Sequence, residues 1–309
     1  MALIGWLCDV KVWVLSAIVI ALVFGFEHPE AADIMVFVLI VQMTLALDGL
    51  RFSRADLGTY SRDMVLCLVL CFLVNTPITL LIGSLFMDDT ALWYGWVMLA
   101  SVPCAVSVVT AALYMRGDVK LAMMGLTAVY VASLAVTPVL TFLLLGEAVD
   151  PMEMLRYIVL FIAVPFILCI PLRRLNLPRV PKVIGINLFM FLMVFIALGT
   201  RRDFILGEPD IVGWLIAASL LRIFVLGFSV MVLMARSGVP RGRGIPLLMM
   251  TTWRNSGLSV SLCMALLGTV YPAAVLPCAV SLMVETIWFA VAMAVVDRVW
   301  PVADSTGQS

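Results

Sequence analysis

An all-α, polytopic membrane protein is the fold class this sequence predicts, and three observations carry it. The 309 residues are 64% hydrophobic and only 12% charged, with a mean hydropathy of +1.17, against roughly 25% charged residues in a soluble domain. Ten apolar segments each come close to the roughly 20 residues a helix needs to cross a bilayer. The basic side chains, moreover, fall almost entirely in alternate connections.

In chain order the segments run from about Val12 to Phe26, Ala32 to Leu50, Met64 to Phe86, Leu92 to Met115, Val119 to Leu145, Met154 to Leu172, Val183 to Gly199, Ile211 to Ala235, Ile245 to Leu267 and Pro272 to Val296. The first is the shortest, and tilt or interruption widens the acceptable length. Met1 to Lys11 lacks a basic leader region and no small-residue cleavage site follows Phe26, so this segment is expected to belong to the mature fold. With the N-terminus in the cytoplasm, Lys11, Arg51, Arg54, Arg62, Arg116, Lys120, Arg173, Arg174, Arg179, Lys182, Arg236, Arg241, Arg243 and Arg298 lie inside, and only Arg156, Arg201 and Arg202 outside. That fourteen-to-three split predicts both termini in the cytoplasm of a multi-pass protein of the inner (plasma) membrane. The outside connections, GFEHPEAAD, FMDDTA, GEAVDPMEM and GTVYPAA, are acidic or uncharged. Asp48 and Arg51 are expected at a solvated end of the second segment, and the tail from Val302 to Ser309 is expected to fray.

Interruptions inside the segments carry more information than their ends. Pro77, Pro103, Pro138, Pro165 and Pro277 each remove a backbone hydrogen bond that lipid cannot replace, and most of them predict kinks. The run SVPCAVSVVT around Pro103 and the run TTWRNSGLSVS around Asn255 concentrate small, β-branched and polar residues at mid-span. They occupy the fourth and ninth segments, the same place in two halves of five helices. That is the arrangement expected if residues 1–150 and 151–309 form an inverted repeat with two broken helices meeting at the midplane.

Several function classes are excluded by composition. Nineteen basic and nineteen acidic residues cancel with no block of like charge, which argues against a nucleic-acid partner. The seven cysteines are scattered singly with one histidine and no CxxC pair, so buried thiols are expected, with no metal site and no cofactor. No nucleophile and base can be placed together, so no catalytic site is expected and the chain is read as not an enzyme. The partners expected are the bilayer and a small-molecule substrate, bound by a monomer. Arg254 demands explanation, because a guanidinium at the centre of a span costs about 2.5–3.5 kcal/mol on insertion scales and needs a partner, a wet cavity or a ligand.

Four motifs in order resemble the bile acid:sodium symporter family, within the superfamily that also holds arsenite exporters and riboflavin transporters. GLRFSRADL (Gly49 to Leu57) is similar to the family's GLTLKPSDF, and YMRGDVKLA (Tyr114 to Ala122) to its YLARGNVALS. TPVLT (Thr137 to Thr141) and RNSGLSVSL (Arg254 to Leu262) resemble TPxxT and QNSGLAxAL, so the likeness covers roughly Gly49 to Ala290. The resemblance implies ten helices in two inverted five-helix repeats, with helices four and nine broken and crossed. It further implies a core domain of helices three to five and eight to ten, a panel domain of one, two, six and seven, and a substrate cleft between them worked by alternating access.

The departures from the family pattern are equally specific. Where the family has PGGTASN, this chain has PCAVSVV, so Val108 and Val109 stand at positions that the resemblance assigns to sodium ligands. Ala122 and Leu126 replace hydroxyl ligands, Phe72 replaces a glutamine, and in MTTWRNSG Met250 replaces the shared glutamate while Arg254 replaces a glutamine. Sodium needs hard oxygen ligands, which these side chains lack, so both sodium sites are expected to be lost. Arg254 is then a surrogate cation, a direct contact for an anionic substrate, or the partner of an acid. Glu285, in SLMVETIW at mid-span, is the acid at hand and is expected to pair with Arg254, carry a proton or touch substrate; Thr286 beside it aligns with a family asparagine. Asn255, Ser256 and Gly257 preserve the break, while Cys104 and Ser107 line the other one. Asn75 and Asn187 read as interhelical hydrogen bonders, and Arg222 is a second mid-span cation without an assigned role. The candidate substrate contacts are therefore Arg254, Asn255, Glu285, Thr286, Cys104 and Ser107. The function expected is sodium-independent secondary transport of a small organic anion, either coupled to protons or as a uniporter or exchanger. The alternatives are toxic-anion efflux of the arsenite type, with Cys104 as thiolate, and a membrane sensor that does not transport.

Overall fold

A computed structural model describes residues 6–47 and 54–301, apart from the side chains of 54–57 and Arg179. Asp48, Arg51, the Gly49–Ser53 part of the second-segment motif and the Val302–Ser309 tail, each given a role above, lie outside the described residues. Every regular element among the described residues is a helix. Six are long and apolar enough to cross a membrane and two more are shorter but apolar, so the chain is an all-α multi-pass membrane protein. Apolar side chains such as Leu73, Leu81, Leu143, Ile167, Trp214 and Leu233 stand outward on these helices, where hydrocarbon rather than water makes them cheap to expose.

The helices are α1 (Val10–Phe24), α2 (Ala31–Leu47), α3 (Gly58–Phe86), α4a (Thr90–Ser101), α4b (Val108–Tyr114), α5 (Val119–Leu145), α6 (Pro151–Arg174), α7 (Arg179–Gly199), α8 (Pro209–Arg236), α9a (Arg241–Thr252), α9b (Ser256–Leu262) and α10 (Val275–Val299). Four of the starts are set by aspartates whose carboxylates accept first-turn N–H groups: Asp9 from Lys11, Asp89 from Leu92, Asp118 from Leu121 and Asp150 from Met152. Each occupies an N-cap, where free N–H groups and the positive helix end favour a carboxylate. Gly25 ends α1 at φ +68°, a conformation a side chain would strain.

Prolines act in three different ways. Pro138 and Pro165 lie inside α5 and α6, as do Pro171 in α6 and Pro246 in α9a. Pro277 does not predict a kink after all, because it falls in the first turn of α10, where an N–H has no partner to lose. Pro77 follows a π-helical stretch, Val69–Asn75, within α3. Further π stretches lie within α8, over Leu221–Val225, and directly after α9b, over Cys263–Leu267. Such stretches loosen the ladder and leave carbonyls free to accept from elsewhere.

The expected breaks are present. After Ser101, Val102 is extended and the chain resumes as helix only at Val108; the residue before a proline is pushed away from the helical conformation. After Thr252, Trp253 is extended and the Asn255 side chain caps α9b by accepting from Leu258 N–H at 3.1 Å. Packing ties α1 to α7, α7 to α2 and α2 to α6, and gathers α3, α4a, α4b, α5, α8, α9a, α9b and α10 into a second, larger group, against which α6 also packs through α5. Gly95 lets α4a approach the Ala274 carbonyl at the start of α10 so closely that a Cβ has no room.

Candidate functional site at the helix crossover

The two breaks meet. Asn255 N–H donates to the Pro103 carbonyl at 2.7 Å, joining the stretch after α9a to the stretch after α4a. A broken helix ends with carbonyls that have no partner in their own ladder, and in lipid each must find one. At the end of α4a they do so one by one. The Thr76 hydroxyl donates to the Ala100 carbonyl at 2.8 Å, and the Thr137 hydroxyl donates to the Ser101 carbonyl at 2.8 Å. Arg254 Nη1 donates to the Val102 carbonyl at 2.7 Å.

Arg254 does more than this. Its Nη2 donates to the Cys71 carbonyl in the π stretch of α3 at 3.1 Å and to the Thr76 hydroxyl at 2.5 Å. The guanidinium is fully buried and lies 3.6 Å from the Cys71 sulfur. It therefore binds the negative end of α4a and an adjoining loosened turn, a set of oxygen acceptors that a small cation would also suit. Among its donors, Nε alone has no partner among the described residues.

Glu285 has a different partner from the one expected. Its Oε1 accepts from Arg222 Nη2 at 2.9 Å and from the backbone N–H of Arg254 at 3.1 Å, and its Oε2 accepts from the Ser256 hydroxyl at 2.7 Å. The guanidinium of Arg254 forms no ion pair with it, so the expected Arg254–Glu285 side-chain pair is replaced by Arg222–Glu285. The physical reason lies in the break itself: the freed N–H of Arg254 points at the carboxylate while its side chain runs the other way, to α4a. Arg222 comes from the π stretch of α8 and is fully buried, with Nε and Nη1 unpartnered among the described residues.

The remaining candidates separate clearly. Asn255 joins the cluster, donating through Nδ2 to the Tyr130 hydroxyl at 2.7 Å and lying 3.7 Å from Met43 sulfur on α2. Cys104 is buried with its sulfur 2.9 Å from that of Met250. Thr286 turns away, its hydroxyl donating to the Leu282 carbonyl one turn back in its own helix. Ser107 is exposed and does not join the buried cluster. Val108, Ala122, Leu126 and Met250 are buried in the apolar core, and Phe72 and Val109 pack against it half-buried. Asn75 accepts from the Thr79 hydroxyl and reaches the Trp253 carbonyl at 3.5 Å, and Asn187 donates to the Leu7 carbonyl, as expected of interhelical hydrogen bonders. All six buried cysteines and Cys8 are free thiols.

Thr76, Thr137, Tyr130 and Arg222 belong to the site and were not singled out for it by the sequence. For the threonines the only available signal was hydroxyls placed at mid-span next to a proline, Pro77 and Pro138. No protein-family model matches this chain and no curated protein is significantly similar to it.

Proposed function

We propose that this chain is a sodium-independent secondary transporter of a small organic anion, a divergent relative of the bile acid:sodium symporters in which Arg254 takes the place of the coupling ions. The observation that carries the proposal is the set of acceptors around Arg254: the Val102 and Cys71 carbonyls and the Thr76 hydroxyl, gathered on one fixed charge at the meeting of two broken helices. In this reading ten helices span the plasma membrane with both ends in the cytoplasm, as inverted repeats over 1–150 and 151–309. Matching irregularities support the repeat, since α3 and α8 each carry a π stretch and the fourth and ninth helices are each broken, although the ninth alone ends in a further π stretch, Cys263–Leu267. The same reading takes the two packing groups as a moving core and a static panel, with the cleft opening where Asn255 now meets Met43, and the contact between α9b and α2 there supports it.

Charge supports an anionic solute. The buried interior of the site holds two guanidiniums, Arg222 paired with Glu285 and Arg254 bound to carbonyls, against one carboxylate, which leaves an excess of positive charge when that carboxylate is ionised. Three donors converge on Glu285, which favours an anchoring role and, with it, uniport or exchange over proton coupling. The burial of Cys104 against Met250 weighs against a thiolate offered to a metalloid. The experiment is flux of labelled organic acids into proteoliposomes, with acids first selected by thermal stabilisation of the purified protein. Saturable flux unaffected by collapsing a proton gradient is expected; stabilisation without any flux contradicts transport and favours a sensor.

A further inference from the structure

Two adjoining cavities of about 430 and 300 Å³ open at one end of the molecule, away from the crossover. They share Phe26, Glu27, Thr200 and Arg201. The first is lined by the ends and connections after α1 and after α7 alone, and the second adds Met264 and Gly268 beyond α9b. Arg201 lines both cavities, and its Nε is buried without a partner among the described residues. Burial also pushes its pKa down, the direction expected of a cation drawn partly out of water with no acid to compensate it.

Its neighbours show that this is not a general feature of the loop. Arg202 is fully engaged in structure: Nε donates to the Leu22 carbonyl at the end of α1 at 2.8 Å, and Nη1 pairs with Asp203 at 3.1 Å. The two acids that reach the cavities are Asp203, tied to Arg202, and Glu27, which forms no ion pair with Arg201. His28 accepts from Glu30 N–H and stacks on Phe26. A half-buried guanidinium that lines both cavities, set among Phe26, Phe204 and Met264, suits a flat monoanion with an apolar body.

We propose that this mouth is a binding site for small aromatic or aliphatic monocarboxylates, with Arg201 holding the carboxylate and Phe26, Phe204 and Met264 the apolar part. The volume is in the range of small-ligand sites. The site rests on the geometry of the mouth alone and stands whether or not the crossover works as a carrier.

Binding of benzoate to the full chain in zwitterionic lipid nanodiscs, read by saturation-transfer NMR with benzamide as the uncharged control, tests it. The wild-type protein is expected to bind benzoate saturably and benzamide at least about tenfold more weakly, the scale of one charge-assisted hydrogen bond. Arg201→Gln should weaken benzoate to a similar degree and Arg201→Lys less. Ala32→Trp, which fills the second cavity and leaves the cation in place, should remove binding in a protein whose elution and thermal unfolding are unchanged. Absence of saturable benzoate binding, equal binding of benzamide, or wild-type affinity in either Arg201→Gln or Ala32→Trp overturns the assignment. A failed flux assay does not affect any of these outcomes.

Discussion

At the scale of single residues the molecule is organised by two arginines with separate tasks. Arg254 serves backbone carbonyls and Arg222 serves a carboxylate. Removing the first strands acceptors in a dry interior, at about 1–3 kcal/mol for each one left unmade. Arg254→Gln is therefore expected to lower the thermal stability of the purified protein sharply, and Arg254→Lys, with one ammonium for two carbonyls, to fall between. A second expectation separates the two cations. In double-mutant cycles on stability, Arg222→Gln with Glu285→Gln should show coupling of about 0.5–3 kcal/mol. Arg254→Gln with Glu285→Gln should be close to additive, because Glu285 touches Arg254 only through its backbone N–H. The opposite ranking of the two cycles contradicts the pairing described here.

At the scale of elements, close approach and interruption do the positioning. α4a reaches the start of α10 only because residue 95 has no side chain, so Gly95→Ala forces a Cβ against the Ala274 backbone, which cannot swing aside as a side chain can. A loss of about 1–3 kcal/mol is expected, the usual cost of overpacking, and a neutral effect in thermal unfolding contradicts the close contact. Several helix ends were legible in the sequence to within a few residues from hydropathy, as at Val119–Leu145, whereas the third helix, expected from about Met64, starts at Gly58 or earlier because it runs back through a polar stretch where hydropathy falls. Both breaks were legible as well, since SVPCAVSVVT and TTWRNSGLSVS gather small, β-branched and polar residues at mid-span where a single proline or asparagine, as at Pro138 or Asn187, leaves the helix unbroken. The π stretches were not: Val69–Asn75, Leu221–Val225 and Cys263–Leu267 lie within or at the end of apolar helical runs and differ from their flanks in how the ladder closes, which composition does not mark. The partner of Glu285 was missed for a related reason. Arg222 and Glu285 follow Pro209 and Pro272 by the same number of residues, a match in depth that sequence could have offered. Choosing between Arg222 and Arg254 depends on where the break sends a side chain, which only the fold determines.

At the scale of the whole molecule, the proposed arrangement is a two-group helical body in a bilayer, crossed at its centre by broken helices that carry their own fixed charge. The proposed topology predicts that reporter fusions after Pro29, Asp89 and Tyr271 read outside and those after Arg54, Lys182 and Arg241 inside. A consistent reversal would place the acidic connections in the cytoplasm and undo the expected outside position of Arg156, Arg201 and Arg202. The central claim is that a guanidinium stands where mobile cations would otherwise be needed. It is met most directly by measuring the initial rate of solute flux in proteoliposomes while sodium is replaced by potassium or choline at constant ionic strength. The account predicts a rate unchanged within error across the replacement; a steep, saturable requirement for sodium would contradict it.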